Sequence, residues 1–427
     1  MFTCTLTLAF CEYRAYPTLF SLRISSSNLD TQNRSIYLYY NSPFFLLPYK
    51  LNTPLLPYCT TIFFMVKFPC KSIFNKKLYK YIIFTVYQTY TFMGGIVMKN
   101  KYKIAIVGAS GIVGRTALKV LEEKAFPNVE YTLFSSEKSA GKKIEFLGIN
   151  YIVQELKEDS FDKKFDYAIF CAGGDVSKKY IPLAVEKNCI CIDNSSVYRM
   201  DPAVPLVVPE VNMDDAFKNN GIIANPNCST IQAVVPLKPL DDKYNIKRIV
   251  YSTYQAVSGA GREGIEDLEN GINGFAPKKF PYPIVNNCLP HIDVFMEDGY
   301  TKEEHKMINE TRKILHKPDL PITATTVRVP VLNCHSESIN IEFEKDFDLY
   351  DIRQLLQNFP GVIVVDDIEK NYYPIATKAD GYDEVFVGRI RRDFSVKNGL
   401  NLWVVADNLR KGAASNAIQI LEGLIEQ

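Results

Sequence analysis

The chain has 427 residues, of which 47% are hydrophobic and 23% charged, and a formal net charge of +1. These proportions fit a folded globular protein of roughly two to three domains. They exclude a disordered or collagen-like chain, and a charge so near zero supplies no global field for nucleic acid.

The average hides a split. Residues 1–97 carry nine Lys and Arg against Glu12 and Asp30 and hold 22 of the 52 Phe and Tyr, whereas the remainder carries 40 basic and 46 acidic side chains. The first segment shows no sustained helical or alternating period, and Pro17, Pro43, Pro48, Pro54, Pro57 and Pro69 interrupt candidate helices. Met1–Phe10 is apolar with no basic residue before it, the wrong order for a signal peptide. Lys76-Lys77-Leu78-Tyr79-Lys80 precedes an uncharged stretch from Tyr81 to Met98, long enough to span a bilayer. Against an anchor stand Thr85, Gln88, Thr89 and Thr91, and a nucleotide-binding strand that begins within a few residues. The residue types of this segment are those of AT-rich codons, and Gly94–Met98 can be encoded by a ribosome-binding sequence before a start codon. The expectation is a native chain that begins at Met98, with residues 1–97 a mis-started, non-native or disordered leader and no membrane partner. Tryptic peptides from that segment in the natural protein would contradict it.

From Met98 the pattern changes. Lys103–Val107 reads as a buried parallel strand, and Gly108-Ala109-Ser110-Gly111-Ile112-Val113-Gly114 follows, with helical character from Arg115 to Lys124. The glycines suit a tight turn, a close approach to pyrophosphate and a helix–strand contact, and the helix N-terminus offers N–H groups to phosphate oxygens. A glycine-rich turn without a ligand has the same spacing; its place directly after a strand favours the dinucleotide. The second strand, Glu130–Phe134, leads to Ser135, Ser136, Glu137, Lys138 and Ser139. Hydroxyls and an ammonium there suit a 2′-phosphate and so NADP, while Glu137 would repel it unless it points outward. Tyr167–Gly174 and Cys189–Ser196 are further strands with small polar groups at their carboxyl ends, where doubly wound sheets bind ligands. Cys189 and Cys191, expected on opposite faces, read as small core residues, and no metal site is expected.

Asn225-Pro226-Asn227-Cys228-Ser229-Thr230-Ile231-Gln232 is the sharpest local feature. Pro226 holds its predecessor out of the helical region, and a helical run begins after the cysteine. A thiol at a helix N-terminus has its pKa lowered by the dipole, so Cys228 is the candidate nucleophile; the competing reading is a buried structural cysteine.

Gly108–Gly114, Asp193–Ser196 with Arg199, Val208–Asn212, Asn225–Gln232, Thr253–Gly259, Arg328–Pro330 with His335–Ser338, and Asp407–Ala414 stand in the order found in the aspartate-β-semialdehyde dehydrogenase family, which the chain resembles from about Lys101 onward. The resemblance implies reversible reduction of L-aspartyl-4-phosphate to L-aspartate-4-semialdehyde with NADPH. The product would feed lysine (diaminopimelate), threonine, methionine and isoleucine synthesis. It implies that Cys228 forms a thioester, that His335 is the acid/base, taking the thiol proton and serving the thiohemiacetal oxygen, and that Gln255 orients the acyl intermediate. Arg328 would clamp the substrate α-carboxylate and Arg199 the phosphate. Asn227, Glu303 and Lys306 complete the substrate contacts, although Glu303 and Lys306 alone would pass for an i, i+3 surface pair. Gly173, Ser258, Gly259 and Asn408 join Gly108–Gly114 and the 135–139 loop around the cofactor. Asn408 stands where some relatives have Gln.

The fold class expected is α/β: a Rossmann-type NADP-binding domain (98–230 plus 397–427) with a second α+β catalytic and dimerisation domain (231–396), assembled as a homodimer. Six cysteines after Met98 without metal spacing, and a thiolate nucleophile, fit a reducing cytoplasm. Two other readings are an N-acetylglutamyl-phosphate reductase, which would share the glycines and the Cys–His pair, and a non-catalytic NADP-sensing protein.

Overall fold

The computed structural model describes residues 101–426 with their side chains. Before them it describes the backbone of four short strands, β1 (Thr3–Leu8) paired with β2 (Phe20–Ser25) and β3 (Ser35–Ile36) paired with β4 (Tyr49–Lys50). The chain divides into two units, Met1–Val97 and Met98–Gln427. The Tyr81–Met98 stretch and the expected start at Met98 lie outside the described residues. No described helix is long and apolar enough to cross a membrane.

Within the second unit the first half is a six-stranded parallel sheet. Its elements are β5 (Tyr102–Val107), α1 (Ile112–Lys124), β6 (Val129–Ser135), the hairpin β7 (Lys143–Phe146) and β8 (Ile149–Ile152), β9 (Gln154–Glu155), β10 (Tyr167–Phe170), α2 (Gly174–Glu186), β11 (Ile190–Asp193), α3 (Pro209–Ala216) and β12 (Ile222–Ala224). The sheet order is β12-β11-β10-β5-β6-β9. Strand order reverses between β5 and β10, so a crevice opens at their carboxyl ends, where open α/β sheets hold ligands. The apolar runs read from the sequence are buried on both faces: Ile104, Ala105 and Ile106 have no exposed surface. Cys189 and Cys191 both enter one core cluster with Phe165 and Phe170. That corrects the expectation of opposite faces, since strand residues two apart share a face.

The second half is built on a mixed sheet. The elements that follow in chain order are α4 (Cys228–Tyr244), β13 (Ile246–Gln255), α5 (Arg262–Ile272), α6 (Lys302–Ile314), β14 (Ile322–Arg328), β15 (His335–Phe343), α7 (Leu349–Gln357), β16 (Val362–Val364), α8 (Ala376–Ala379), β17 (Val385–Asp393), β18 (Gly399–Ala406) and α9 (Ser415–Ile425). The order of the mixed sheet is β14-β13-β15-β18-β17-β16. Every second residue of β15, from His335 through Glu337, Ile339 and Ile341 to Phe343, is buried, the signature of one face turned to a core. That core includes Ile231, Val234, Val235 and Leu237 of α4, together with Met307 of α6.

The chain then returns. Ala417, Ile418, Ile420 and Leu421 of α9 pack in the cluster of Ile104, Ile106, Leu121 and Ile192, on the parallel sheet. The expected return at residue 397 needs correction, because β18 is hydrogen-bonded between β15 and β17 and belongs to the mixed sheet. The crossing lies after Ala406. The architecture is α/β, a Rossmann-type sheet with a second α+β layer.

Candidate active site

The nucleotide loop forms as its glycines require. Gly108 has φ +83°, and a Cβ there would stand 2.6 Å from the Cys171 carbonyl oxygen; a Cβ on Gly114 would meet the Gly108 carbonyl oxygen at 2.2 Å. Only glycine permits both that turn and the close seating of α1 on β5. The N-cap of α1 is Gly111, with no side-chain cap, so its first-turn N–H groups are left for an anion. Ser110 Oγ and Ser135 Oγ lie 2.6 Å apart across the loop. Ser136, Glu137 and Lys138 are exposed beyond it, and Gly173 caps α2 with open space where a Cβ would be. These residues fit a dinucleotide.

The cysteine turn is held by one residue. Asn227 caps α4, its Oδ1 accepting from Ser229 N at 3.0 Å and Thr230 N at 3.4 Å, and its Nδ2 donates to Glu303 Oε1 at 2.9 Å. Cys228 is therefore the first helical residue, as read from the sequence. Helix α6 starts with a Thr301–Glu304 capping box and turns Glu303, Lys306, Glu310 and Lys313 to one side at helical spacing. Lys306 Nζ donates to Asp293 at 2.7 Å and Glu303 at 3.0 Å. Lys313 Nζ donates to the carbonyl oxygens of Arg199, Asp201 and Val204, fixing the loop that carries Arg199.

The sequence candidates gather on Glu303 and Arg328, whose charges act on the thiol. Gln255 Nε2 donates to Glu303 Oε1 at 3.1 Å, while its Oε1 accepts from Thr253 Oγ1 at 3.0 Å. Arg328, 5% exposed, donates one N–H to the Ala256 carbonyl at 2.6 Å. A Cβ on Gly259 would lie 3.0 Å from that guanidinium and 3.2 Å from His335 Nε2, so the bare glycine lets both close in. His335 Nδ1 accepts the Ala256 N–H at 2.9 Å, Gln232 Nε2 donates to the His335 carbonyl, and His335 Nε2 has no partner among the described residues. Burial first and Arg328 second push the imidazole down to about 3, with Glu303 opposing. The ring is neutral at ordinary pH, and with Nδ1 accepting, its proton sits on Nε2. Cys334, next in sequence, turns away into a cluster with Val365 and Phe386.

The cofactor-side expectation for Asn408 is narrowed. Its Oδ1 accepts from Cys334 N and its Nδ2 donates to Ser258 Oγ, so the amide braces the loop ahead of His335. Asp380, Asp407 and Cys334 bring ligand-type atoms within 4.8 Å of one another. The Asp407 carboxylate already accepts N–H groups from Gly381, Leu409 and Arg410, the work of a turn cap.

The expected lowering of the Cys228 thiol is not what its surroundings produce. Although the residue keeps some exposed surface, burial of the sulfur and then Glu303 push it up to about 12; Arg328, Arg199 and the Ser229 N–H only partly oppose this. The resting group is a thiol. Alkylation of Cys228 by iodoacetamide in the free enzyme is expected to accelerate steadily as pH rises through about 10 without a plateau. A plateau below about pH 8 would show a stabilised thiolate instead.

Three residues of the site were not legible as such in the sequence. Glu310 is 1% exposed and bridges Arg199 to the Asn227 amide. Gly412 presses on the nucleophile, because a Cβ there would stand 2.8 Å from Cys228 Cβ. Lys411, with no exposed surface, donates to Glu210 Oε2 at 2.6 Å, Asn416 Oδ1 and Gln419 Oε1, pinning the segment that carries Gly412. The heptad-like spacing of Glu303, Lys306 and Glu310 is a usable signal for the first; the other two lie in the Asp407–Ala414 stretch, whose sequence does not tell what they touch.

Residues 103–219 match the semialdehyde dehydrogenase NAD-binding domain, and residues 237–411 match the semialdehyde dehydrogenase dimerisation domain. Aspartate-semialdehyde dehydrogenase of Aquifex aeolicus (strain VF5) is 56% identical over 335 residues, covering 76% of this chain and 98% of that one. That of Bacillus subtilis (strain 168) is 48% identical over 335 residues, covering 75% and 96%. Among solved structures, aspartate semialdehyde dehydrogenase II of Vibrio cholerae complexed with ASA has a TM-score of 0.74 at 44% identity, covering 77% of this chain and 99% of that one. The aspartate semialdehyde dehydrogenase of Candida albicans with NADP has a TM-score of 0.61 at 27% identity, covering 77% and 99%. Because the likeness runs through both sheets and nearly the whole length of each relative, the chain belongs to the aspartate-semialdehyde dehydrogenase family of oxidoreductases.

Proposed function

We propose that the protein catalyses the NADP-dependent, reversible reductive dephosphorylation of L-aspartyl-4-phosphate to L-aspartate-4-semialdehyde through a thioester on Cys228. The observation that carries this reading is the cysteine at the capped start of α4, with the charges of Glu303, Arg328 and Arg199 acting on its thiol and His335 beside Arg328 and Glu303. Arg328 keeps most of its N–H groups uncommitted and offers a planar fork to the α-carboxylate. Lys306 and Arg199 face the phosphate. Burial alone would lower Lys306, but Glu303 and Asp293 outweigh it and hold it charged. Cys228 attacks the acyl carbon, the C–O bond to phosphate breaks, and phosphate leaves. NADPH, held by Gly108–Gly114, Gly173 and the 135–139 loop, supplies the hydride when bound.

His335 donates from Nε2 to the oxygen of the reacting carbonyl, where charge develops. We revise its expected first task, taking the thiol proton, because that nitrogen is already protonated while Ala256 occupies Nδ1. The balance does not need it: a thiol and an acyl phosphate dianion give a thioester and hydrogen phosphate, so the proton leaves with the phosphate.

NADP rather than NAD is favoured by Ser135, Ser136, Lys138 and Ser139, and the Candida albicans relative was solved with NADP. The cofactor half is proposed to span residues 98–230 and to include the segment after Ala406. The half between them catalyses and makes a homodimer, as its match to a dimerisation domain supports. The free thiols Cys171, Cys189, Cys191, Cys228, Cys288 and Cys334 fit a reducing cytoplasm. The product would feed lysine (diaminopimelate), threonine, methionine and isoleucine synthesis.

The deciding assay runs the reaction backwards, with aspartate semialdehyde, inorganic phosphate and NADP. Phosphate-dependent NADPH formation is expected, and its absence would overturn the proposal, with N-acetylglutamate semialdehyde as the comparison substrate. Arg328→Lys is expected to raise the KM for aspartate semialdehyde by roughly ten- to a hundredfold with a smaller change in kcat. An unchanged KM would remove the carboxylate role.

A further inference from the structure

Glu310 is a fully buried carboxylate that the mechanism above leaves without a task. It sits on α6, seven residues after Glu303 and on the same side. Its Oε1 accepts from an Arg199 terminal nitrogen at 3.1 Å, and its Oε2 accepts from the backbone N–H of Asn227 at 2.6 Å. Arg199 also gives Nε–H to the Asn225 carbonyl at 2.9 Å and its other terminal nitrogen to the Asn194 carbonyl at 2.8 Å. Three of its five N–H groups are thus spent inside the protein, and one on each terminal nitrogen is left for a ligand. The acid also governs the turn in front of the nucleophile, since the residue whose amide it holds is the one that caps α4.

One side chain therefore joins the cation assigned to the phosphate and the backbone that places the sulfur. An uncompensated guanidinium at 8% exposure would bind a phosphate dianion tightly and release it slowly. With a carboxylate on the same guanidinium, its attraction for the dianion is reduced, while its remaining N–H groups still point the way.

We propose that Glu310 is a positioning residue with two linked effects: it anchors the Asn227 amide so that Cys228 is correctly placed, and it weakens the Arg199 phosphate site enough for product to leave. The inference rests on reading Arg199 as the phosphate ligand. Gln in place of Glu310 can accept at only one of the two contacts and turns a donor toward the other, besides losing the charge.

The test compares Glu310→Gln and Arg199→Gln with the parent enzyme, measuring calorimetric binding of inorganic phosphate to the NADP complex and kcat for aspartate semialdehyde oxidation. Glu310→Gln is expected to bind phosphate about three- to tenfold more tightly while kcat falls roughly tenfold or more. Arg199→Gln is expected to weaken phosphate binding by more than about tenfold. Tighter phosphate binding is a change that loss of a merely structural brace would not give. Should Glu310→Gln fail to fold, Glu310→Ala, which likewise removes the charge beside Arg199, is measured for the same tightening. If Arg199→Gln leaves phosphate binding unchanged, the reading of Arg199 fails. If Arg199→Gln weakens it but the Glu310 variants bind phosphate no more tightly than the parent, the inference fails alone.

Discussion

Cys228→Ala is expected to remove turnover by at least about four orders of magnitude while NADP still binds. The expectation follows from the division of labour between the two sheets. The cofactor loop is formed by Gly108, Gly111 and Gly114, which crowd the loop's own backbone and the Cys171 carbonyl, and by the Ser110–Ser135 contact. The cap of α4 is made by Asn227 Oδ1, which the substitution leaves in place. Loss of one sulfur therefore removes the atom that forms the acyl bond and leaves its scaffold standing. Arg199, Arg328 and His335 would still polarise the substrate, which accounts for any small residue of rate. The check is a steady-state assay beside a cofactor titration followed by nicotinamide fluorescence. Turnover above about one per cent of the parent would refute the covalent route.

Lys411→Met is expected to cost about 3–5 kcal/mol of stability, seen as a melting temperature lower by on the order of ten degrees. Lys411 has no exposed surface and meets three oxygen acceptors, of which Glu210 is the charged one. Removing the ammonium leaves the Glu210 carboxylate, 8% exposed at its side chain, with only the Gln419 amide at 3.2 Å. A buried charge stripped of its partner is penalised far more than a pair replaced as a unit. The double variant Lys411→Met with Glu210→Leu should accordingly recover most of the loss. Unfolding followed by circular dichroism distinguishes the cases, and an unchanged melting point for the single variant would show that the pair contributes nothing. Because Gly412 is the next residue and lies against Cys228, kcat should fall in the single variant even where the fold is intact.

What could be read before the structure was whatever chemistry is local. The Gly108–Gly114 spacing announces a turn that excludes side chains. Pro226 and Asn227 announce a helix start, and the apolar runs at Ile104–Val107 and Tyr167–Phe170 announce strands covered on both faces. Glu303 and Lys306 were visible as a helical pair, yet only the tertiary fold shows the carboxylate turned onto Asn227 and Gln255. The thiol's titration was misread for the same reason: a helix start is local and lowers the pKa, whereas burial and Glu303, far off in sequence, raise it more. In β17 the residues Arg389, Arg391 and Arg392 break up the apolar run, which hides the strand from a purely local reading. The expected boundary at residue 397 falls just before β18, whose pairing with β15 and β17 no local pattern announces. Glu310 reaches Asn227 across 83 residues and Lys411 reaches its charged partner Glu210 across 201, separations that no local window spans, although Asn416 and Gln419 lie near Lys411 in sequence.

The seating of Gly412 on Cys228 also sets an order of events in the cell. Strands β5 to β18 emerge from the ribosome before the segment that floors the reactive sulfur and before α9, which seals the first core. A nascent chain still tethered by its tail can have both sheets and an unfinished catalytic chamber. The site is thus complete only once the segment carrying Gly412, which follows the last strand in the chain, has docked on the helix start that carries Cys228.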